Sequence, residues 1–79
     1  MRKRDDIIKL IRASPNLILW EECTENVARA VLDVPLKGIA VITIFPGAIS
    51  LQNAKARLHK HLCYDDESIR DYLNPLLEQ

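Results

Sequence analysis

The chain has 79 residues, and 48% of them are hydrophobic, which is typical of a folded domain and too high for a disordered segment. Eleven basic residues balance eleven acidic ones, so no overall charge attracts the protein to nucleic acid, lipid or an acidic substrate. The length predicts one small domain, residues 1–79, whose modest core would be stabilised by a partner or a second copy.

The cysteine content and the absence of targeting patterns indicate the compartment. Cys23 and Cys63 are the two cysteines, too few for the disulfide framework of a small secreted domain. The sequence shows neither a signal-peptide pattern nor an apolar run long enough to cross a bilayer. We therefore expect a cytoplasmic protein with reduced thiols and no contact with a membrane.

The first predicted element is a helix over residues 4–13. Its apolar residues fall mostly on one side, and Asp5 and Asp6 lie at the end where the helix dipole favours anions. Pro15 prevents simple continuation of this helix. The next segment, NLILW at residues 16–20, fits either a short buried strand or the opening turn of another helix, because short apolar runs have no diagnostic period.

The middle of the sequence predicts a helix followed by a strand. EECTENVARAVL, residues 21–32, is rich in helix-forming residues, and Pro35 ends the helix. In residues 38–45, four consecutive β-branched residues favour a strand. Both faces of that strand are apolar, which is typical of a strand buried on both sides.

Two further helices are predicted in the last third of the chain. One covers residues 50–62, with Ser50 as its cap and regularly spaced leucines on one side. The other begins near Asp66, and Pro75 is expected to end or bend it.

The fold class expected from this order is α+β, with about four short helices packed on one central buried strand, residues 38–45. Residues 16–20 supply a second short strand if they are extended. Two strands leave edges open, so we expect the sheet to be completed by a partner protein or a second subunit. In the alternative, residues 16–20 cover one edge while a helix and a loop shield the other.

No arrangement of residues predicts catalysis. His59 and Cys63, four residues apart on the predicted third helix, could form half of a zinc site, with His61 pointing elsewhere. A Cys–His nucleophile is disfavoured because the acidic residues 65–67 oppose a thiolate at Cys63. We therefore predict no catalytic residue, no metal, no cofactor and no small-molecule substrate.

The function predicted by elimination is a non-enzymatic protein–protein interaction module: a regulator, inhibitor or subunit that acts through an apolar surface or a strand edge. Its partner is another protein or a second copy of the chain. Trp20 and Phe45 are expected inside because their neighbours are apolar, and an exposed one would be an interface anchor. The predicted partner-binding residues are Trp20, Ile42, Ile44, Phe45 and Tyr64.

The alternative function is a small DNA-binding transcriptional regulator. Residues 58–73 resemble a helix-turn-helix in the placing of Leu58, Leu62, Ile69 and Leu73, and residues 38–77 are similar in element order to a ribbon-helix-helix protein. The two predicted functions differ in salt dependence. Binding to nucleic acid weakens steeply as the salt concentration rises, whereas binding through an apolar interface hardly changes. The candidate nucleic-acid-binding residues are Arg2, Lys3, Arg4, Arg57, Lys60 and His61.

Overall fold

The computed structural model describes residues 3–78 and contains two helices and five strands. Within these residues, neither helix combines the length and the apolar character needed to cross a membrane. In chain order the elements are α1 (Lys3–Arg12), β1 (Leu17–Glu22), β2 (Ala28–Val34), β3 (Gly38–Ile44), β4 (Ala48–Asn53), β5 (Leu58–Cys63) and α2 (Ile69–Leu77).

The strands form one antiparallel sheet in the order β1-β2-β3-β4-β5, so each strand pairs with its neighbour in sequence. The register places Val31 opposite Val41, and Ile42 opposite Leu51. This pairing supplies hydrogen-bond partners for the backbone groups of the three inner strands.

Both helices pack on the same face of the sheet, where the core lies. Alternate strand residues point to that face, because successive side chains of a strand lie on opposite sides. In β2 the pattern is simple: Ala28, Ala30, Leu32 and Val34 are buried, and the residues between them are not. The helix residues that complete the core are Ile7, Ile11, Ile69, Leu73, Leu76 and Leu77.

The expected fold class, four helices on one central buried strand, is wrong. The predicted helix at residues 21–32 is instead the end of β1, a turn and most of β2, and the predicted helix at residues 50–62 is most of β4, a turn and most of β5. The proposed completion of the sheet by a partner at the central strand also fails, because β3 pairs with β2 on one edge and β4 on the other.

Helix-forming residues within these two segments account for this error. Residues 54–57 read AKAR and favour a helix locally, yet they form the turn between β4 and β5, with Arg57 in the left-handed region at φ 54°. The backbone of β3 needs hydrogen-bonded neighbours on both edges, and the hairpins supply them. In residues 21–32 and 50–62, pairing between strands therefore outweighs the local preference for a helix.

Other elements are confirmed. The N-terminal helix is α1, the predicted strand at 38–45 is β3, and the C-terminal helix is α2, which begins at Ile69 and not near Asp66. The segment at 16–20, for which strand and helix were both open, is a strand from Leu17 onward, as part of β1. The expectation that Pro75 ends this helix is wrong, because Pro75 lies inside α2, which continues to Leu77. Burial of β3 on both faces is wrong, because Ile42 is fully buried whereas Ile39 is 49% exposed.

The segment between α1 and β1 holds the C-terminal end of α2. The buried Asn16 donates from Nδ2 to the carbonyl oxygen of Leu76 at 3.0 Å and to that of Glu78 at 2.6 Å. Ser14 Oγ donates to the carbonyl of Leu77 at 2.6 Å. These bonds satisfy carbonyls that have no partner within the helix, and they join residues 60 or more positions apart.

We expect Asn16→Ala to lower the free energy of unfolding by about 1–3 kcal/mol, because it leaves buried carbonyl groups without a donor. Urea denaturation followed by circular dichroism measures the change. Asn74→Ala is the matched control, since Asn74 is exposed on α2 and its side chain caps nothing. Equal stability of Asn16→Ala and the wild type would contradict this role for Asn16.

Candidate functional site

The sheet face opposite the two helices has no cover within residues 3–78, and we call it the uncovered face. Its members are the strand residues that alternate with the core residues. From β1 to β5 they are Leu19, Glu21, Arg29, Val31, Asp33, Ile39, Val41, Thr43, Ala48, Ser50, Gln52, His59, His61 and Cys63.

The strand register arranges these residues in rows across the sheet. The middle row consists of Leu19, Val31, Val41, Gln52 and His59. It is apolar on the β1–β3 side and polar on the β4–β5 side. Neighbouring strands lie about 4.8 Å apart, so side chains within a row contact one another.

The apolar half of the uncovered face is accessible to solvent. Leu19 and Ile39 are each 49% exposed, and Val31 and Val41 are half-buried by their neighbours. Beside them an open groove of about 390 Å³ runs towards β5. The groove is lined by Ile39, Val41, Gln52, Ala54, Leu58 and His59. An apolar surface of this kind on a small domain is typical of an interaction site.

Charged residues flank the apolar row. Arg29 Nη2 lies 2.6 Å from Glu21 Oε1, across the β1–β2 pair. The pKa of Arg29 is raised because its guanidinium donates hydrogen bonds to Glu21 and is attracted by that carboxylate. Further along β2, Asp33 is exposed on the same face. On its uncovered face, β2 therefore presents a positive side chain, an apolar one and a negative one in that order, with Val31 midway between Arg29 and Asp33.

None of the five predicted partner-binding residues belongs to the uncovered face. Ile42 and Ile44 are fully buried beneath the helices. Trp20 is half-buried on the helix side of β1, with the Arg12 guanidinium 4.9 Å from the centre of its ring. Phe45 is 41% exposed in the β3–β4 turn, so the expectation that it lies inside is wrong.

Tyr64, the fifth of those residues, braces the turn between β3 and β4. Its hydroxyl lies 2.9 Å from the carbonyl oxygen of Ala48 and also contacts that of Phe45. Partial burial raises the pKa of Tyr64, and the nearby Arg4 opposes that rise. The contacts indicate a structural role for the phenol.

The candidate nucleic-acid-binding residues do not form one patch. Arg2 lies outside the described residues. Arg4 sits on α1 and donates to the carbonyls of Asn26 at 2.8 Å and Phe45 at 3.2 Å, in two turns at one end of the sheet. Arg57 lies in the turn at the opposite end.

Lys3, Lys60 and His61 do not change that conclusion. Lys3 is the first residue of α1, whereas Lys60 and His61 point to opposite faces of β5. The helix-turn-helix resemblance is wrong because residues 58–63 form a strand, and the ribbon-helix-helix order is wrong because β4 and β5 separate β3 from α2.

The histidines and Cys63 are arranged by a strand, so their expected placement on a helix is wrong. His59, His61 and Cys63 are alternate residues of β5, all on the uncovered face. The His59 and His61 ring centres are 5.1 Å apart. Among residues 3–78, no group of three or more His, Cys, Asp or Glu side chains converges in a way that could hold a metal ion.

The prediction of a helix over residues 21–32 does not identify the main residues of the uncovered face. Alternation in ARAVLDV, where apolar residues sit at positions 28, 30, 32 and 34, was the signal that could have identified β2. It would have placed Arg29, Val31 and Asp33 together.

No protein-family model matches the chain, and neither a curated protein nor a solved structure shows significant similarity to it. Function is therefore inferred from the uncovered face itself.

We expect Tyr64→Phe to lower the free energy of unfolding by about 0.5–1.5 kcal/mol at neutral pH, because the carbonyls lose a donor. The wild type should also lose more stability than Tyr64→Phe when the pH is raised. A raised pKa means that the folded state keeps the phenol proton above the ordinary value of 10.0, whereas the unfolded state releases it.

Denaturation of both proteins at about pH 7, 9 and 11 measures the two effects. Tyr72→Phe is the control, since the Tyr72 hydroxyl has no hydrogen-bond partner among residues 3–78. A pH profile of Tyr64→Phe that follows that of the wild type would contradict the role given to the phenol.

Proposed function

We propose that this protein is a non-enzymatic interaction module, a subunit or regulator that binds protein through the uncovered face. The observation that carries the proposal is the accessible apolar row on the side of the sheet that neither helix covers. Covering that row removes apolar surface from water, which is the main driving force of protein association.

A second copy of the chain is the partner that the pattern of the face favours. The charges on β2 are the reason, because Arg29 and Asp33 lie at equal distances on either side of Val31. In a two-fold symmetric interface, each surface must be complementary to itself. Opposite charges at equal distances from a centre meet this condition.

The proposed dimer stacks two uncovered faces, with the two-fold axis running along the middle row and across the strands. The apolar side chains of Leu19, Val31 and Val41 then face their own copies. Arg29 faces Asp33 of the other copy, and this contact occurs twice. Stacked sheets lie about 10 Å apart, a distance that a long arginine side chain can span towards its partner.

The size of the face is compatible with a weak, specific dimer. Five strands spaced by about 4.8 Å and about six residues long give a footprint of roughly 480 Å² on each copy. Two copies then bury about 1,000 Å², the lower limit for a specific interface. We therefore expect association at micromolar concentrations, in exchange with the monomer.

Charge substitution tests the arrangement. We expect Arg29→Glu and Asp33→Arg each to weaken self-association roughly tenfold or more, because like charges then face one another. An equimolar mixture of the two variants should recover association as a heterodimer, since each supplies the charge that the other lacks. Sedimentation equilibrium over roughly 5–500 µM, on nuclease-treated protein, measures these affinities.

Two results would contradict this proposal. One is a strictly monomeric wild type over the whole concentration range. The other is a mixture of Arg29→Glu and Asp33→Arg that associates no better than either variant alone. If association is seen only before nuclease treatment, the treated protein gives the first of these results, and nucleic acid holds the copies together.

The apolar row is tested separately. We expect the double variant Leu19→Thr, Ile39→Thr to reduce self-association by roughly tenfold or more, because each threonine removes apolar surface from the uncovered face. The sheet should stay folded, since threonine is β-branched and favours a strand. Leu36→Asn is the matched control, since Leu36 is 95% exposed in the β2–β3 turn and lies outside the face. Its φ of 66° suits asparagine. If Leu36→Asn reduces self-association as much as the double variant does, the uncovered face is not the interface.

A further inference from the structure

His59 and His61 form a pair of neighbouring imidazoles on β5, next to the apolar row. They are alternate residues of the edge strand β5, so both side chains project from the uncovered face, and both are exposed. Their ring centres are 5.1 Å apart and the ring planes are inclined by 51°. Neither ring makes a hydrogen bond to a side chain or backbone group among residues 3–78.

The separation of the rings fits two ligands of one metal ion. In a tetrahedral site each Zn–N bond is about 2.0–2.1 Å, and the ring centre lies about 1.1 Å beyond the nitrogen, so two imidazoles on one ion have centres about 5 Å apart. The observed 5.1 Å agrees with that value before any ion is added.

We propose that His59 and His61 together chelate one divalent transition-metal ion of the zinc, nickel or copper type. Imidazole is the ligand that these metals share, and Mg²⁺ prefers oxygen ligands instead. Because the strand fixes both backbones, little order is lost when the second ring binds.

The chain supplies two ligands, which leaves the remaining positions of the ion open. Within residues 3–78 no third His, Cys, Asp or Glu converges with the pair. Cross-strand neighbours are Gln52 beside His59 and Ser50 beside His61, and Cys63 follows two residues further along the same face. Water, or a side chain of a molecule seated on the uncovered face, completes the coordination.

The position of the pair links it to the groove. His59 lines the 390 Å³ groove together with Ile39 and Val41. A bound ion would therefore lie at the rim of the apolar surface, with its open positions directed away from the sheet. This proposal does not depend on the dimer, because metal uptake is measured on the monomer as well.

The test uses the full chain without an affinity tag, titrated with Zn²⁺, Ni²⁺ or Mg²⁺ in a calorimeter at low micromolar protein. His59 and His61 are the only two histidines in the sequence, so imidazole signals in NMR spectra report on this pair alone. We expect one Zn²⁺ or Ni²⁺ per chain, simultaneous shifts of both imidazoles, and no uptake of Mg²⁺.

Single substitutions decide whether the two rings act together. His59→Gln and His61→Gln should each weaken the affinity for Ni²⁺ by roughly tenfold or more. Removing a residue that only supports a metal ligand already weakens affinity by that factor, and these variants remove a ligand itself. Lys60→Gln is the matched control, because Lys60 lies between them and points to the other face. It should change uptake less than twofold.

Three outcomes would overturn the proposal. They are the absence of saturable uptake, unchanged affinity in either histidine variant, and loss of uptake in Cys63→Ser, which would move the site to His61 and Cys63. Circular dichroism of each variant confirms that the sheet is intact, so a change in uptake is not a change in folding.

Discussion

The structure depends on one constraint: a β-branched strand in the middle of the chain needs hydrogen-bonded neighbours on both edges. The hairpins on either side of β3 supply them, and each hairpin brings one further strand. The sheet therefore grows to five strands within a chain of 79 residues. Little sequence remains for helices, and α1 and α2 together cover one face. The uncovered face follows from how the residues are divided between strands and helices.

The two faces of the sheet differ in composition in a way that fits this division. Beneath the helices the strands present small and aliphatic residues, among them the fully buried Ala30 of β2, the strand that α2 contacts. The uncovered face carries charged residues, hydroxyl groups and imidazoles among its aliphatic residues. Such a mixture of polar and apolar side chains is typical of transient interfaces.

How much of the fold the sequence predicts depends on the residue types in each element. The strand β3 was identifiable because four consecutive β-branched residues favour no other structure, and α1 because its polar and apolar residues separate at helical spacing. The strand β2 was not identified, because alanine, arginine and leucine are good helix formers and its period of two was overlooked. In a helix, Arg29 and Asp33 share one face because they are four residues apart, whereas Val31 points to the other side. In a strand, the same three residues form one surface. The candidate site therefore cannot be predicted unless β2 is predicted as a strand.

The edges of the sheet are less suited to association than its uncovered face. On β5, Lys60 is exposed on the edge strand, and a charged residue there disfavours pairing with another strand. On β1, the register shifts between Leu17 and Leu19, and such an irregularity disrupts the ladder that an added strand would need. Ile18, at this irregularity, is 60% exposed, yet one side chain offers little area. Both edges therefore resist extension of the sheet, and the apolar row becomes the place where burial by another molecule gains most.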